Sequence, residues 1–118
     1  GPVAPLAGGW RIRNGVLDFS PLVPALLDCG DRAYGAALFH ATLAAGLAEW
    51  ALAAVDREKV AKMAVGGGCA LNAVLMSPLR GHLETAGVNL LEARQAPPND
   101  GGLALGQGWV ARWMFKEM

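Results

Sequence analysis

Two glycine-rich loops constrain the fold of this 118-residue chain more than any other feature of its sequence. The first loop contains residues 66–68, all glycine, and the second contains residues 97–102, with the sequence PPNDGG. Each loop lies between an apolar run typical of a strand and a periodic apolar run typical of a helix. A strand that enters a helix through glycines leaves backbone N–H groups able to bind phosphate or another anion. The two loops together predict the two walls of one nucleotide site.

The runs that flank these loops predict an α/β fold built from βα units. Residues 59–65 and 88–92 are strand candidates, and residues 71–86 and 103–115 are the helices expected to follow them. Pro78 lies inside the first of these helices and is expected to shorten or kink it. Strands joined through helices pair in parallel, so we expect the two strands to be neighbours, with ligands at their carboxyl ends.

The N-terminal half predicts a β-hairpin followed by two helices. Asn14-Gly15 lies between short alternating runs and favours a type I′ turn, in which both central residues have positive φ. Ser20 is expected to cap a short helix that ends at Gly30 in a left-handed conformation, and Asp31 to cap a long helix. Apolar residues of the long helix recur every three or four positions: Ala36, Phe39, Leu43, Leu47, Trp50 and Ala54.

The composition limits the partners of the chain. Hydrophobic residues make up 53% and charged residues 17%, so some apolar surface is expected to be covered by another domain or, failing that, by self-association. Ten basic and ten acidic residues balance without a basic tract, which argues against nucleic acid as a partner. His40 and Glu49 interrupt the apolar stretch 35–55 and argue against a membrane span. Cys29 and Cys69 are expected as reduced thiols of a cytoplasmic protein.

Each candidate site residue has a structural as well as a functional interpretation. Glycines 66–68 suit a tight turn or the close approach of a ligand, and they match neither a P-loop nor a dinucleotide motif. Asn72 caps the following helix or bonds a sugar or base. Asp100 caps the last helix or binds a divalent metal ion, for which one carboxylate is not enough. His40 is expected to be partly buried with its hydrogen bonds satisfied, and His82 to be exposed.

Three segments resemble the C-terminal part of the HypF carbamoyltransferases of nickel–iron hydrogenase maturation. They are residues 67–72 with the sequence GGCALN, the pair Phe39-His40, and residues 97–107 with the sequence PPNDGGLALGQ. The last segment is specific to the HypF family. The GG-x-x-x-N turn is shared with the related TsaD-type tRNA threonylcarbamoyl transferases. Ala70 and Ala73 depart from the family, which often has an aromatic residue and usually an arginine at these positions.

The resemblance implies a fold and a chemistry for the chain. The fold would be the second lobe of an actin-like, sugar-kinase-like ATPase, so residues 1–118 would be a single partial domain. The chemistry would be ATP-dependent: carbamate derived from carbamoyl phosphate forms carbamoyl adenylate, and the carbamoyl group passes to the C-terminal cysteine of HypE for synthesis of cyanide ligands.

The resemblance also implies roles for individual residues. Gly67, Gly68 and Asn72 would face the nucleotide, and Asp100 would be a ligand of a divalent metal ion. The family's other metal ligands are a pair of histidines spaced HxxxH, which this chain lacks. These histidines would lie in the first lobe, among the remaining HypF domains, so the chain alone is expected to be inactive. Two alternatives stay open here: a TsaD-type lobe, and a non-catalytic interaction module on the same fold.

Overall fold

The computed structural model describes residues 2–117 as a mixed α/β arrangement in the predicted order of elements. Two short 3₁₀ turns, Gly68–Leu71 and Asp100–Gly102, precede the last two helices. The strands and helices are β1 Arg11–Arg13, β2 Val16–Asp18, α1 Leu22–Leu27, α2 Arg32–Glu58, β3 Lys62–Val65, α3 Ala73–Thr85, β4 Asn89–Glu92 and α4 Leu103–Lys116.

The hairpin forms as its turn sequence predicts. Strands β1 and β2 pair antiparallel, with Arg13 opposite Val16. Asn14 and Gly15 connect them with φ angles of 53° and 76°, the two positive values that a type I′ turn requires. Local turn chemistry alone therefore accounts for this element.

The caps expected at α1 are wrong, whereas the cap at α2 is confirmed. The hydroxyl of Ser20 lies 3.0 Å from the Asp18 carboxylate and does not cap α1, which begins after Pro21 without a side-chain cap. Asp18 accepts hydrogen bonds from the N–H and hydroxyl of Ser20 and lies beside Arg11, and these contacts lower the pKa of its carboxyl group. Gly30 does not take a left-handed conformation, because α1 already ends at Leu27. Asp31 accepts from the amides of residues 33 and 34 and caps α2.

One face of α2 receives the N-terminal segment and the hairpin. The N–H of Leu6 donates to the Thr42 hydroxyl at 3.0 Å, and Thr42 is fully buried. One turn further along, the ring of Phe19 lies against Gly46 so closely that a Cβ there would be 2.6 Å from a ring carbon. Thr42 and Gly46 are four positions apart and therefore lie on the same side of α2.

Two indole N–H groups fasten the hairpin to this face. Trp10, the residue just before β1, donates to the Glu49 carboxylate. Trp50 donates to the carbonyl of Gly15 in the hairpin turn at 2.9 Å. Both bonds join residues more than thirty positions apart, so they fix the hairpin on the middle of α2.

A second face of α2 builds the hydrophobic core with α3 and β4. Ala44 and Ala48 are buried there, and their small side chains let α3 approach closely. The other buried members of this core are Leu75, Met76, Leu79, Leu83, Val88 and Leu90. Within residues 2–117, α2 is also long and apolar enough to cross a membrane by length and composition, a property that core helices of soluble proteins share. The absence of a membrane partner stays a prediction.

The two βα units form as predicted. Strands β3 and β4 pair in parallel, with Lys62 opposite Asn89 and Val65 opposite Glu92. Strand β3 starts three residues later than expected, because α2 extends to Glu58 and the left-handed Lys59 turns the chain. Helix α3 continues through Pro78. The expected shortening there is wrong, since the missing N–H removes only one hydrogen bond of the helix.

The closing helix α4 lies outside the core. None of its described residues is buried, and large apolar side chains remain exposed along its length. The rings of Trp109 and Trp113 lie next to each other along the helix, with centroids 6.5 Å apart and planes tilted by 60°. The surplus of apolar surface that the composition indicates is therefore concentrated on this helix.

Candidate functional site

The two glycine-rich loops meet at the carboxyl ends of the parallel strands. β3 and β4 end side by side at the pair Val65 and Glu92, and each strand runs directly toward one of the loops. The N–H of Gly67 donates a hydrogen bond to the carbonyl of Pro98, which joins the loops. The structure thus brings together two segments about thirty residues apart in the sequence, at the edge of the sheet where ligands of open α/β folds bind.

The first loop takes a conformation that requires glycine. Gly67 has φ 96° and ψ 169°, a region that is essentially open to glycine alone. Gly68 and Cys69 follow as the first residues of the 3₁₀ turn, where N–H groups have no acceptor within the helix. A Cβ on Gly68 would meet no atom within 4 Å, so the backbone here faces open space.

The second loop is shaped by its own glycines and by Asn99. The Asn99 side chain accepts from the N–H of Gly101 at 3.0 Å, and the Asn99 carbonyl accepts from Gly102 at 2.9 Å. A Cβ on Gly102 would overlap the carbonyl oxygen of Pro97, which is why the second position of the pair must also be glycine. The residue that caps the 3₁₀ turn is therefore Asn99.

Asp100 has no capping role, which corrects the structural interpretation of this residue. Helix α4 begins after Gly102 without a side-chain cap, and Asp100 is the first residue of the preceding 3₁₀ turn. Its side chain is exposed and lies, together with Gly67, along an open cleft of about 830 Å³ between the proline loop and α4. Among residues 2–117, the Asp100 carboxylate has no hydrogen-bond or ion-pair partner.

The donor set at Asp100 fits part of a metal site only. A carboxylate oxygen suits Mg²⁺ and similar divalent ions, which need several oxygen or nitrogen ligands. Across the described part of the chain, no group of three or more His, Cys, Asp and Glu side chains lies close enough to hold a metal ion. Asp100 can therefore contribute one ligand to a site completed by groups outside these residues.

Asn72 performs the capping role that its position suggests. Its side-chain oxygen accepts from Val74 at 3.0 Å and from Leu75 at 3.4 Å, and so caps α3. Its side-chain nitrogen lies 3.2 Å from Nε2 of His40, whose Nδ1 is 2.8 Å from the carbonyl oxygen of Ala36. One proton of the Asn72 amide remains for a ligand. His40 is half-buried with both nitrogens bonded, as expected, and His82 is exposed.

Sequence reasoning does not place His40 at the glycine turn. It lies 32 residues before Asn72 and on a different helix, and no local spacing connects the two. Of the predicted nucleotide-binding residues, Gly67 lines the cleft with Asp100, while Gly68 continues the same turn and Asn72 points its side chain toward α2. Their contact with a nucleotide stays a prediction.

A charged pair holds α3 against the end of β4 beside the site. Nε and one terminal nitrogen of Arg80 each lie 2.8 Å from an oxygen of Glu92, a bidentate arrangement. The hydrogen bonds from Arg80 and the positive charges of Arg80 and Arg94 lower the pKa of Glu92, against the opposing effect of its partial burial. Glu92 is the last residue of β4, so this pair fixes the strand end from which the second loop departs.

Comparison with known proteins identifies the class of this fold. Residues 4–107 match the family described as "Carbamoyltransferase, Kae1-like Domain, second subdomain". The mixed α/β arrangement of small sheets and helices is consistent with such a subdomain.

Individual relatives narrow the class to one family. The chain is 50% identical over 107 residues to carbamoyltransferase HypF2 of Cupriavidus necator, covering 90% of this chain and 13% of the relative. It is 45% identical over 111 residues to carbamoyltransferase HypF of Rhizobium leguminosarum bv. viciae, covering 91% of this chain and 14% of that relative. A carbamoyltransferase HypF homolog of Cupriavidus necator is 39% identical over 105 residues, covering 84% of this chain and 27% of the relative.

The chain belongs to the HypF carbamoyltransferase family, as the resemblance of its motifs predicts. It spans about one seventh of the length of the first two of these relatives, 13% and 14%. The match to HypF proteins leaves no support for the alternative of a TsaD-type lobe.

Proposed function

We propose that this chain is part of the second lobe of an ATP-dependent carbamoyltransferase with an actin-like, sugar-kinase-like fold. The observation that carries the proposal is the joining of the two loops by the bond between Gly67 and Pro98. This bond sets the glycine turn and Asp100 on one cleft at the carboxyl ends of parallel strands. The family membership supports the assignment of the chemistry to carbamoyl transfer.

In this proposal the two glycine-rich loops have different tasks. The amides of Gly68 and Cys69 face the phosphates of ATP, because N–H groups at the start of a helical turn attract anions. The nearby Asp100 carboxylate supplies one ligand to a divalent metal ion that neutralises phosphate charge. The remaining ligands and the opposite face of the nucleotide site come from the other domains of a HypF protein, which makes this chain half of a site.

The reaction that we propose for the complete protein has two steps. A carbamate oxygen attacks the α-phosphorus of ATP, which forms carbamoyl adenylate and releases pyrophosphate. The thiolate of the C-terminal cysteine of HypE then attacks the carbamoyl carbon, and AMP leaves. The role of this chain is to hold the phosphates and the metal ion while the first step occurs, so its contribution is positioning and electrostatic stabilisation.

A chimera provides the direct test. The matching segment of Cupriavidus necator HypF2 is replaced by this chain, which is 50% identical to it, and carbamoyl transfer from carbamoyl phosphate to HypE is measured. We expect an active chimera and loss of transfer on Asp100→Asn, which removes the charge that a divalent ion requires. Asp28→Asn, at another exposed aspartate, is the matched control and should keep activity.

Two results would contradict the proposal. If the Asp100→Asn chimera transfers carbamoyl groups as well as the parent chimera after metal depletion and restoration, Asp100 is not a metal ligand. If the chimera binds HypE but its activity is unaffected by substitutions across the cleft, the lobe acts as a non-catalytic docking module. Because Asp100 forms no cap, its substitution should leave folding stability within about 0.5 kcal/mol, as for an ordinary surface change.

A further inference from the structure

His40 contacts the residue that ends the glycine turn, and the proposed function gives this histidine no task. Its ring lies on α2 with Nε2 facing the Asn72 side-chain nitrogen at 3.2 Å. Nδ1 faces the carbonyl oxygen of Ala36, one turn earlier on the same helix, at 2.8 Å. Both ring nitrogens are therefore engaged: Nδ1 contacts α2 itself, and Nε2 contacts the end of the glycine turn.

The orientation of the Asn72 amide is set by the start of α3. Its oxygen accepts hydrogen bonds from the backbone N–H groups of Val74 and Leu75. Only an oxygen can accept these bonds, so the NH₂ group must be the one that points at His40. The usual ambiguity between the two ends of an amide is removed by the helix cap.

This orientation determines the protonation of His40. An NH₂ group can only donate, so Nε2 has to be the unprotonated acceptor. The neutral imidazole then carries its proton on Nδ1, where it donates to the Ala36 carbonyl. The opposite tautomer would place two donors against each other at Asn72 and two acceptors against each other at Ala36.

The contact reaches the glycine turn through Asn72. This residue closes the Gly68–Leu71 turn and caps α3, so its position sets where the turn ends and the helix begins. His40 lies one turn before Ala44, which packs in the core formed with α3. The histidine thus extends the contact between α2 and α3 as far as the loop.

We infer that His40 is a positioning residue: as a neutral imidazole protonated at Nδ1, it holds the Asn72 amide in its capping orientation and fixes the end of the glycine turn. The geometric part of this inference depends only on the contacts described. The consequence for ATP binding rests on the proposed function. The experiments below separate the two.

The tautomer is the first measurement. Long-range proton–nitrogen NMR spectra of the full 118-residue chain with ¹⁵N-labelled histidine should show Nδ1 protonated and Nε2 unprotonated at His40. The exposed His82 serves as the internal reference, and His40→Gln assigns the signals. A His40 side chain protonated at Nε2 at neutral pH would overturn the inference.

Hydrogen exchange at the start of α3 is the second measurement. In His40→Leu the Asn72 amide loses its acceptor, and we expect the Val74 and Leu75 amides to exchange about five-fold faster, as expected for a weakened N-cap. His40→Gln offers a side-chain oxygen to Asn72 and should keep slow exchange, and His82→Leu should change nothing. Unchanged exchange in His40→Leu, or exchange in His40→Gln as fast as in His40→Leu, would refute the positioning role. If His40→Leu fails to fold, the glutamine variant and the wild-type tautomer decide.

The chimera with HypF2 supplies the functional measurement. His40→Leu should raise KM for ATP about five-fold, like the exchange rates, while kcat is retained. The substitution displaces the glycine turn but changes no group that takes part in the reaction. An active chimera in which His40→Leu keeps the parent KM would refute the consequence for ATP binding, whereas the tautomer and the exchange rates decide the positioning role. An inactive parent chimera would contradict the proposed function alone, since the tautomer and exchange results do not depend on activity.

Discussion

The same substitution, glycine to alanine, should have opposite effects at two helical positions of this protein. Gly46 lies in the middle of α2, where a Cβ would be 2.6 Å and 2.7 Å from two ring carbons of Phe19 and 3.2 Å from the Trp10 indole. Gly81 lies in α3, where a Cβ would meet nothing within 4 Å. The pair therefore separates helix propensity from packing.

The expected free energies follow from these distances. Alanine stabilises a helix interior relative to glycine by about 1 kcal/mol, and Gly81→Ala should retain all of it. At Gly46 the added methyl group enters filled space, which costs about 1–3 kcal/mol. The obstacle is an aromatic ring that cannot turn away without moving the hairpin, so the cost should lie near 3 kcal/mol, and Gly46→Ala should lose about 2 kcal/mol net.

Urea and thermal unfolding followed by circular dichroism, at one low protein concentration, would measure both variants. For a chain of this length about 1 kcal/mol corresponds to about 4 °C in Tm. We expect Tm to rise by about 4 °C in Gly81→Ala and to fall by about 8 °C in Gly46→Ala.

The role of the ring can be isolated with a double mutant. Phe19→Leu removes the ring carbons that face Gly46, so the destabilisation by Gly46→Ala should be smaller in that background than in the wild type. If Gly46→Ala raises Tm as Gly81→Ala does, or if the two substitutions at positions 19 and 46 act additively, the packing argument is wrong.

Three further predictions concern pH, association and nucleotide. Because Arg80 lowers the pKa of folded Glu92, the pair should stabilise the fold above the ordinary glutamate pKa of about 4.3. This stabilisation should be lost as pH falls through the lowered pKa of the folded protein. The difference in unfolding free energy between wild type and Glu92→Gln, measured by urea titration at a series of pH values, should therefore disappear in acid. The apolar side chains of α4 should cause self-association, visible by light scattering as a mass that increases with concentration and is reduced by Trp113→Glu; a monomer at high concentration would contradict this. The isolated chain should bind ATP weakly or not at all, and micromolar binding in calorimetry would refute the picture of half a site.

Elements with strong local signals could be predicted from the sequence. Asn14-Gly15 fixes the hairpin turn and Asp31 fixes the start of α2 by interactions within a few residues. The parallel pairing of β3 and β4 follows from the alternation of strands and helices, without any knowledge of side-chain contacts. These predictions depend on backbone chemistry that is complete within each segment.

Features that depend on distant partners could not be predicted. Phe39 and Trp50 belong to the apolar period of α2, yet they remain partly exposed, whereas Thr42 is buried by Leu6. A helix with apolar residues on most of its sides does not reveal which face each neighbour covers. The contact between His40 and Asn72 could not be predicted for the same reason, because the sequence around each residue does not indicate which distant residue it contacts.

The structural interpretation of Asp100 as a helix cap is wrong, whereas its role as a metal ligand stays a prediction. An aspartate near the start of a helix is expected to cap it, but here Asn99 caps the 3₁₀ turn at Asp100–Gly102, and α4 begins at Leu103 without a side-chain cap. The aspartate is thereby left with its charge unused by the fold. The sequence alone allows Asp100 to be explained as a helix cap, and the structure shows that Asp100 does not have this role.

The double proline in the second loop gives the cleft a direction. Pro97 and Pro98 have no N–H, and the amides of Gly101 and Gly102 are already bonded to Asn99, so four of the six residues in this loop have no free backbone N–H for a ligand, and the charged group of the loop is the Asp100 carboxylate. In the neighbouring glycine turn, the N–H groups of Gly68 and Cys69 stand at the start of a 3₁₀ turn and have no acceptor within it. An anionic ligand would therefore find backbone N–H groups at the glycine turn, but at the proline loop it would meet a carboxylate that repels it unless a cation lies between them.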